Sequence, residues 1–451
     1  MRILFLNQYY YPDIAATAQL LADVCEELAA AGHEVTVLCG TARYRLPHRG
    51  TQLATDKSDH TGPLPATELH AGVHIRRIPV WGAGKSRPAS GLGIKLLRRA
   101  AAELSFSLGV AAELWHLGEE QGSEPPPIVV ALSSPPLLLA LGCLARARLG
   151  SPLLYWVQDV YPELLFALGA LSRDNLVGRL ADRVLSQLWR RLYRHVDAAV
   201  ALDAAMAQRL TAGGLPGERI RIVEHFADCR EIRPQPATEN RLRQSLGLMD
   251  AFVVGYAGNL GRGHDFETVA AALTLLDRAD APPEAASLHF LFIGDGEKRA
   301  ALVAAVPPGL RSRVHFLPPQ ARSELRDVMT AGDVGLITLA DGLAGLMVPS
   351  KLYALLAAGL PIVYVGPQTG RVAELCAQEQ LGESVRNGDA AGLIAGILRL
   401  QSDPQRRKIA GQHGRHLAVT HYDRPIVAAR HAAVLSEVQR RDPSEKGRAG
   451  R

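Results

Sequence analysis

The feature that most constrains this chain is an alternation of apolar runs and helical segments that occurs twice. The first alternation opens with the apolar run RILFLN, continues with a segment of helical periodicity from Thr17 to Ala31, and reaches a second run, GHEVTVLCG. A strand, a helix and a strand in this order predict a parallel sheet with helices packed against it. Further apolar runs in this half predict strands at residues 73–79, 127–133, 152–159, 197–202 and 219–224.

A polar stretch separates the two alternations. Between Asp228 and Asp250 the chain has two prolines, many charged residues and no strand pattern, which predicts a linker. The region from 48 to 70 is also polar and turn-rich, and it predicts a loop. Beyond the linker, apolar runs again predict strands, at FVVGYAG, LHFLFIG, VHFL, VGLITL and PIVYVG. The pattern therefore predicts two parallel α/β domains, with a ligand cleft at the carboxyl ends of their strands.

Composition narrows the class of protein. With 451 residues the chain is too long for one core, and its 47% apolar and 21% charged residues are typical of a soluble globular protein. The net charge of +5 is modest, and basic and acidic residues alternate, so no concentrated stripe indicates nucleic-acid binding. Five cysteines lie far apart without a C-x-x-C pair, which favours buried thiols in a reducing cytoplasm over disulfides or a zinc site.

Two segments bear on membranes. The N-terminal apolar run is too short for a signal peptide, so we expect a cytoplasmic protein. The uncharged stretch from 128 to 145 has Ser-Ser-Pro-Pro at its centre, which predicts a strand, a loop and a buried helix rather than a membrane span. The segment 92–115 has helical spacing, with Lys95, Arg98 and Arg99 near its start. It is either an internal helix or a helix that lies on the inner membrane surface, which is thus a candidate partner.

The loop YAGNLGRGHD has the composition of an anion site. It follows a predicted strand, precedes a predicted helix, and contains Gly258, Gly261 and Arg262. Amides at a helix start can point at an anion, and glycines allow it to approach closely. The alternative is a simple tight turn with a solvated Arg262. The spacing is not G-x-G-x-x-G, so a dehydrogenase is only weakly supported.

Two later loops repeat this arrangement. FIGDGEKRAAL places Gly294 and Gly296 at a strand end, although its acidic residues fit helix capping equally well. Pro349, Ser350 and Lys351 open a short helix, so that free amides, a hydroxyl and an ammonium can meet at one point. An ordinary capped core helix with an exposed lysine is the alternative.

Carboxylates mark the corresponding edge of the first domain. YWVQDVYPEL places Asp159 and Glu163 at or just past a strand end, where a carboxylate can orient a sugar hydroxyl or accept a proton. Glu163 is equally well explained as an acid in the first turn of a helix. The loop NQYYYPDIAAT also faces the predicted cleft. No D-x-D or H-E-x-x-H occurs, so the sequence offers no recognisable set of metal ligands.

Together these segments resemble the retaining glycosyltransferases of family 4. The motifs NQYYYPD, SSPPLLLA, WVQDVYPE, VEHFADCREIRP, YAGNLGRGHD, FIGDGE and VPSKLYALLAAGLPIV follow the order found in that family, from Met1 to about Arg430. The chain is most similar to the bacterial branch that builds capsular, O-antigen and colanic-acid-type polysaccharides. The resemblance implies the GT-B fold, with two Rossmann-like domains facing a central cleft, a nucleotide-sugar donor that is UDP-linked, and no metal or other cofactor.

The resemblance also implies a domain plan. Residues 1–230 would form the acceptor domain and 231–415 the donor domain, followed by a helix at 416–440 that crosses back to the first domain and a basic flexible tail at 441–451. The donor diphosphate would be held by loop residues and by the helix start, where developing negative charge is stabilised as the glycosidic bond breaks. The donor-binding candidates are Gly258, Asn259, Gly261, Arg262, His264, Gly294, Gly296, Ser350 and Lys351. The catalytic candidates are Asp159 and Glu163, and the acceptor-side candidates are Asn7, Tyr10, Asp13 and Thr17.

The chain departs from the family pattern at several positions. Leu346 and Ala354 stand where many relatives carry two glutamates, and the second change removes an expected contact to the donor ribose. Ala15 and Ala16 replace a Gly-Gly turn. The catalytic-type histidine of other members has no match here, so Asp159 is the substitute candidate.

These observations favour transfer of a hexosyl or N-acetylhexosaminyl group from a nucleotide sugar to a lipid-linked or oligosaccharide acceptor in bacterial cell-surface polysaccharide synthesis. Two alternatives stay open at this point. One is a nucleotide-sugar 2-epimerase, which shares the two-domain fold. The other is a catalytically silent nucleotide-sugar-binding subunit, which the loss of both glutamates would suit.

Overall fold

A computed structural model describes residues 1–13, 15–41, 64–81, 92–120 and 125–440, with the side chains of the helix at 92–120 described from 101 to 119. The first half of the chain forms one large sheet. Its strands are β1 Arg2–Leu6, β2 Glu34–Gly40, β3 Thr67–His70, β4 Val73–Ile78, β5 Ile128–Leu132, β6 Leu153–Trp156, β7 Ala198–Ala201 and β8 Ile220–Ile222. They are ordered β3-β4-β2-β1-β5-β6-β7-β8, and β3 alone runs antiparallel to its neighbour.

Helices cover both faces of this sheet. They are α1 Ala16–Ala30, α2 Leu92–Glu120, α3 Leu138–Leu149, α4 Glu163–Ala167, α5 Leu176–Tyr193 and α6 Ala204–Ala212. Every residue of β5, β6 and β7 is buried, as expected of central parallel strands with helices on either side. Right-handed crossovers place α2, α3 and α5 on one face, where α3 contacts both of the others, and α1 on the opposite face.

The second sheet is entirely parallel. Its strands are β9 Phe252–Ala257, β10 Leu288–Ile293, β11 Val314–Leu317, β12 Val334–Thr338, β13 Ile362–Val365 and β14 Gly382–Val385, in the order β11-β10-β9-β12-β13-β14. The remaining helices are α7 Arg241–Ser245, α8 Glu267–Leu276, α9 Arg299–Ala304, α10 Leu325–Met329, α11 Lys351–Ala358, α12 Arg371–Gln378, α13 Ala390–Ser402, α14 Pro404–His421 and α15 Arg424–Arg440. Short 3-10 helices occur at Gly217–Arg219, Ala237–Glu239, Pro283–Ser287, Pro308–Leu310 and Arg322–Glu324.

The strand orders fix where a ligand can bind. In the first sheet the order reverses at β1, which lies between β2 and β5, and in the second it reverses at β9, which lies between β10 and β12. Crevices open beyond the carboxyl ends of strands at such reversals. The loops after β1, β5, β9 and β12 therefore border the two crevices.

The end of the chain returns to the first domain. Asp423 pairs with Ala227 in an isolated bridge, and Arg424 reaches Asp23 of α1 at 3.0 Å. The segment expected as one helix at 416–440 is two helices, α14 and α15. The basic tail at 441–451 lies outside the described residues, and the domain boundaries at 230 and 415 stay predictions.

The predicted strands are all present, and the stretch 128–145 is β5, a turn and α3, as expected. Two strands were missed. β3 lies inside the region expected to be a loop, of which residues 48–63 are outside the described ranges, and β14 was not predicted. Both are four-residue edge strands with few apolar residues, TELH and GESV, so neither shows an apolar run. Within the described ranges, no helix combines the length and apolar character that crossing a membrane requires.

Candidate functional site

Two loops from different domains meet at the carboxyl edges of the sheets. Asp159, just after β6, pairs with Met347 in an antiparallel bridge, and the amide of Val160 donates to the carbonyl of Leu346 at 2.9 Å. The loop at 339–350, which follows β12, therefore joins the domains beside the predicted donor loops. A ligand here would touch both domains at once.

Lys351 is the most unusual side chain of this region. Its Nζ lies 3.5 Å from the centre of the Tyr256 ring, and a Cβ added to Gly258 would lie 3.7 Å from the same nitrogen. The nitrogen is buried, and no described residue forms a hydrogen bond with it. Burial lowers the pKa of this ammonium well below its usual value. A buried amino group facing a glycine without an anionic partner is a prepared position for an anion, whose charge would favour the protonated form of the amine.

The start of α11 adds to this position. Ser350 is its N-cap, but the hydroxyl makes no capping bond, and Gly359 ends the helix with a φ of +70°. The amides of the first turn have no partners within the helix, and the helix dipole is positive at this end. The predicted helix start is confirmed, whereas the alternative of a core helix with an exposed lysine is wrong.

The two predicted glycine loops pack directly on each other. A Cβ on Gly294 would lie 2.0 Å from the carbonyl oxygen of Gly258, and one on Gly296 would lie 2.5 Å from the Leu260 carbonyl. The hydroxyl of Tyr256 donates to the carbonyl of Asn259 at 2.7 Å. Gly294 and Gly296 therefore set the shape of the first loop. A direct contact of either with a donor stays a prediction.

Arg262 does not stand beside Lys351 as a free cation. Its guanidinium binds Glu297 through both carboxylate oxygens, at 2.8 and 2.7 Å, and both side chains are exposed. The neighbouring carboxylate raises the pKa of the guanidinium. Glu297 would have to release Arg262 before an anion could bind it. Glu297 thus pairs with the neighbouring loop, whereas helix capping and ligand binding were the two roles predicted for the acidic residues of FIGDGEKRAAL.

His264 is buried and neutral. Its Nδ1 lies 2.7 Å from the carbonyl oxygen of Thr338, which can only accept, so this nitrogen carries the proton. Burial, followed by the nearby charge of Lys351, lowers the pKa of the imidazole to about 3. The neutral ring leaves Nε2 as an acceptor. His264 therefore offers a hydroxyl-binding atom and contributes no charge to a diphosphate site.

The two carboxylate candidates differ in their surroundings. The amide of Asp159 donates to the hydroxyl of Ser133 at 2.9 Å, and no described side chain pairs with its carboxylate. Burial raises the pKa of the Asp159 carboxyl to about 6. Glu163 begins α4, and its Oε2 is buried without a hydrogen-bond partner among the described residues. Burial raises its pKa also. Asp159, nearer the bridge to the second domain, is the better candidate for chemistry.

The acceptor-side candidates do not form one group. Asn7 directly follows β1 and is fully buried, and its Oδ1 has no described partner. Asp13 accepts the amide of Ala15 at 2.9 Å, which makes it a turn residue, and Thr17 is half-buried in the first turn of α1. Tyr10 lies in the core beside the Cys25 thiol, which argues against the predicted acceptor contact.

Sequence reasoning missed a carboxylate that links the domains. Glu224, after β8, accepts the hydroxyl of Tyr353 at 3.1 Å and pairs with Arg371 at 2.9 Å. Leu346 is buried and Ala354 is partly buried against the same apolar cluster, so apolar packing occupies the two positions where the family resemblance implies glutamates. In the described ranges, no three His, Cys, Asp or Glu side chains are grouped as metal ligands would be.

Known proteins resemble the chain along nearly its whole length. Residues 16–224 match the family model described as a glycosyl transferase 4-like domain, and residues 251–403 match that of glycosyl transferases group 1. The chain is 24% identical to the putative colanic acid biosynthesis glycosyl transferase WcaI of Escherichia coli K12, over 92% of this chain and 95% of that protein. It is 26% identical to the probable glycosyltransferase WbjE of Pseudomonas aeruginosa over 59% of this chain, and the match spans 64% of WbjE.

Solved structures show the same architecture. Anabaena HepE in complex with UDP and glucose superposes with a TM-score of 0.67 at 20% identity, covering 97% of this chain and 99% of that one. WaaG, a glycosyltransferase of lipopolysaccharide biosynthesis, superposes with a TM-score of 0.63 at 18% identity, covering 96% and 99%. Since both halves match the family models and the two sheets have these neighbours, the chain belongs to the family 4 glycosyltransferases and has the GT-B fold.

Proposed function

We propose that this glycosyltransferase binds a UDP-linked sugar in its C-terminal domain and transfers the sugar, with retention of configuration, to a lipid-linked or oligosaccharide acceptor in bacterial cell-surface polysaccharide synthesis. The observation that carries the proposal is the buried, unpaired ammonium of Lys351 against Gly258. Similarity to a colanic acid glycosyl transferase supports the pathway class, and the HepE complex with UDP and glucose supports the donor class. The comparisons give no support to the epimerase alternative.

Charge stabilisation explains how this position would act. As the bond between sugar and phosphate breaks, negative charge builds up on the leaving diphosphate. Lys351 and the amides at the start of α11 face that charge, so they stabilise the transition state more than the bound donor. The protein thereby supplies positive charge at the diphosphate, and the proposal includes no metal ion.

The acceptor hydroxyl would attack from the face that the diphosphate leaves. Its oxygen forms a bond to the sugar carbon as the bond to the diphosphate breaks, and its proton passes to a phosphate oxygen. Asp159 lies on the acceptor side of the domain junction, where its carboxylate would accept a hydrogen bond from the attacking hydroxyl.

Calorimetry with UDP tests the donor site. Replacing Lys351 by Ala removes a charge-assisted contact, so we expect UDP binding to weaken by about 1.5 to 3 kcal/mol. Arg262→Ala should weaken UDP binding toward the lower end of this range, because in the unaltered protein part of the binding energy is used to break the pair between Arg262 and Glu297. The double variant should lose less than the sum, because both residues would hold one anion. Uridine, which lacks phosphate, should bind all variants with nearly equal affinity.

The exposed Lys408, on α14, provides a matched control, and Lys408→Ala should bind UDP as the unaltered protein does. Unchanged UDP affinity in both single variants would refute the donor site. If the protein binds UDP but neither transfers the sugar nor slowly hydrolyses the donor, it is the catalytically silent subunit. The apolar residues Leu346 and Ala354 are the reason for testing this alternative.

A further inference from the structure

Helix α5 leaves an apolar stripe in solvent. Leu176, Val177, Leu180, Val184 and Leu188 are between 43% and 77% exposed. Four of them follow one another at intervals of four residues, so they lie on one face of the helix. The opposite face is buried through Trp189 and Tyr193. An exposed stripe of this extent, separate from the proposed donor site, indicates a surface that contacts something else.

Arginines border the stripe. Arg179, Arg183, Arg190 and Arg194 are exposed and recur at helical spacing along one side of it. No carboxylate among the described residues pairs with any of these four side chains. The one acidic residue within α5, Asp182, is paired with Arg173 at 2.9 Å. The outer face of α5 therefore combines exposed leucine and valine with uncompensated positive charge.

A second helix continues this surface. On α2, Leu104, Leu108 and Trp115 are each more than half exposed, at spacings that place them on one face. Arg148 of α3 lies over the Trp115 ring at 4.4 Å. Because α3 lies between α2 and α5 and contacts both, the two stripes are on the outer side of the same helix layer.

We propose that the outer face of α5, extended by α2, rests on an anionic phospholipid bilayer. Leucine and valine side chains would enter the boundary between headgroups and acyl chains, while the arginines contact lipid phosphates. A protein partner would explain the apolar stripe, but the unpaired arginines favour a surface that is negative everywhere. This proposal rests on the proposed function, because a bilayer contact is useful to a glycosyltransferase whose acceptor is the lipid-linked form.

The position of α5 relative to the cleft fits this acceptor. The most exposed residues of its apolar stripe, Leu176 and Val177, lie at its N-terminal end, which a short segment joins to α4 and hence to Glu163. Helices of parallel α/β domains begin near the carboxyl edge of the sheet, where the cleft opens. An acceptor whose lipid stays in the bilayer would therefore meet the protein at the cleft side of this face.

Sedimentation of the full chain with vesicles of phosphatidylglycerol and phosphatidylethanolamine tests the proposal. The double variant Arg179→Gln, Arg183→Gln should bind at least about tenfold more weakly, since each basic residue near an anionic surface contributes roughly a fivefold change. Val184→Glu should also lose binding, because it places a charge in the apolar stripe. A matched double variant on the second domain, Arg241→Gln, Arg311→Gln, changes the net charge equally and should bind as the unaltered protein does.

Three outcomes would overturn the proposal. They are absence of vesicle binding by the unaltered protein, equal binding by the α5 variants, and a dimer in light scattering that Val184→Glu converts to a monomer, which would assign the face to a second copy. UDP calorimetry on the same proteins separates this proposal from the donor site. If the α5 variants bind UDP with normal affinity, the proposed donor site is unaffected by the result of the vesicle experiment. If Lys351→Ala loses UDP binding but still binds vesicles, the proposed lipid face is unaffected by the result of the UDP experiment.

Discussion

Asp159 combines features that suit a group in the reaction. It is at the junction of the domains, lacks a described partner for its carboxylate, and has a pKa raised by burial to about 6. We expect Asp159→Asn to lower turnover by roughly a hundredfold while UDP affinity is kept, because the variant retains the shape and loses the charge. Turnover of the unaltered enzyme should fall as pH drops through about 6, where the carboxylate is protonated, and the variant should lack this dependence.

The same carboxyl should lower stability at neutral pH. In the folded protein it binds a proton more tightly than in the unfolded chain, where its pKa is about 3.9, so its contribution to stability declines as pH rises from about 4 through about 6. Asp159→Asn should therefore be more stable than the unaltered protein at pH 8, by up to about 3 kcal/mol, and similar at pH 4. Urea unfolding at the two pH values measures this. A less stable and fully active variant would mean that Asp159 is a structural residue.

Sequence reasoning located some site residues and not their surroundings. Ser350 and Lys351 were found because Pro, Ser and Gly mark the ends of a helix. The pairing of Arg262 with Glu297 was missed, since the two residues are on different loops and only the packing of Gly294 on Gly258 brings those loops together. Periodicity reports which face of an element is buried, but it carries no information about contacts between loops.

At the scale of whole elements, the shape of the donor loop after β9 depends on a glycine in the neighbouring loop after β10. Gly294 has a φ of +140°, and a Cβ there would lie 2.0 Å from the Gly258 carbonyl. Gly294→Ala should therefore displace the loop after β9, weaken UDP binding and lower the thermal midpoint. Gly342 is the control, because its φ of +77° also lies in the left-handed region that disfavours alanine, while nothing lies within 4 Å of an added Cβ. The difference between the two variants should be about 1 to 3 kcal/mol, the usual cost of overpacking. Equal losses would show that backbone strain alone matters.

The regular elements were largely predictable because parallel strands buried on both faces need continuous apolar runs. β5 and β12 are of this kind, with every residue buried. β3 and β14 were not predictable, since these four-residue edge strands contain few apolar residues and leave no apolar pattern. The helical spacing of α2 was visible in the sequence. The side chains of Lys95, Arg98 and Arg99 lie outside the described residues, so their predicted contact with a membrane stays a prediction. The exposed apolar face of α5 was missed, because an apolar stripe on a helix ordinarily predicts a buried face, whereas this stripe lies in solvent.

For the molecule as a whole, Asp23 of α1 is where three segments meet. Arg424 of α15 contacts it at 3.0 Å and Arg322 of the second domain at 3.1 Å. Arg424→Ala removes one of the two guanidinium groups that bind Asp23, so it should destabilise the protein by about 1.5 to 3 kcal/mol, the range for a charge-assisted hydrogen bond, and lower its thermal midpoint. Arg278 forms an exposed pair with Asp280, and Arg278→Ala should cost less than about 1 kcal/mol. Equal midpoints in the two variants would contradict a role for Arg424 in fastening the last helix.

The return of the last helix to the first domain has a consequence for synthesis on the ribosome. α15 rests against the first sheet, with the ring of His431 4.3 Å from that of Trp156, and it follows the bridge between Asp423 and Ala227. The first domain is therefore built from two separate segments of the chain, whereas the second is formed by the segment between them. As translation proceeds, the second domain can complete its fold first, while the Trp156 surface stays uncovered until Arg424–Arg440 leaves the exit tunnel. The nascent chain thus reverses the usual order, in which the N-terminal domain is finished first.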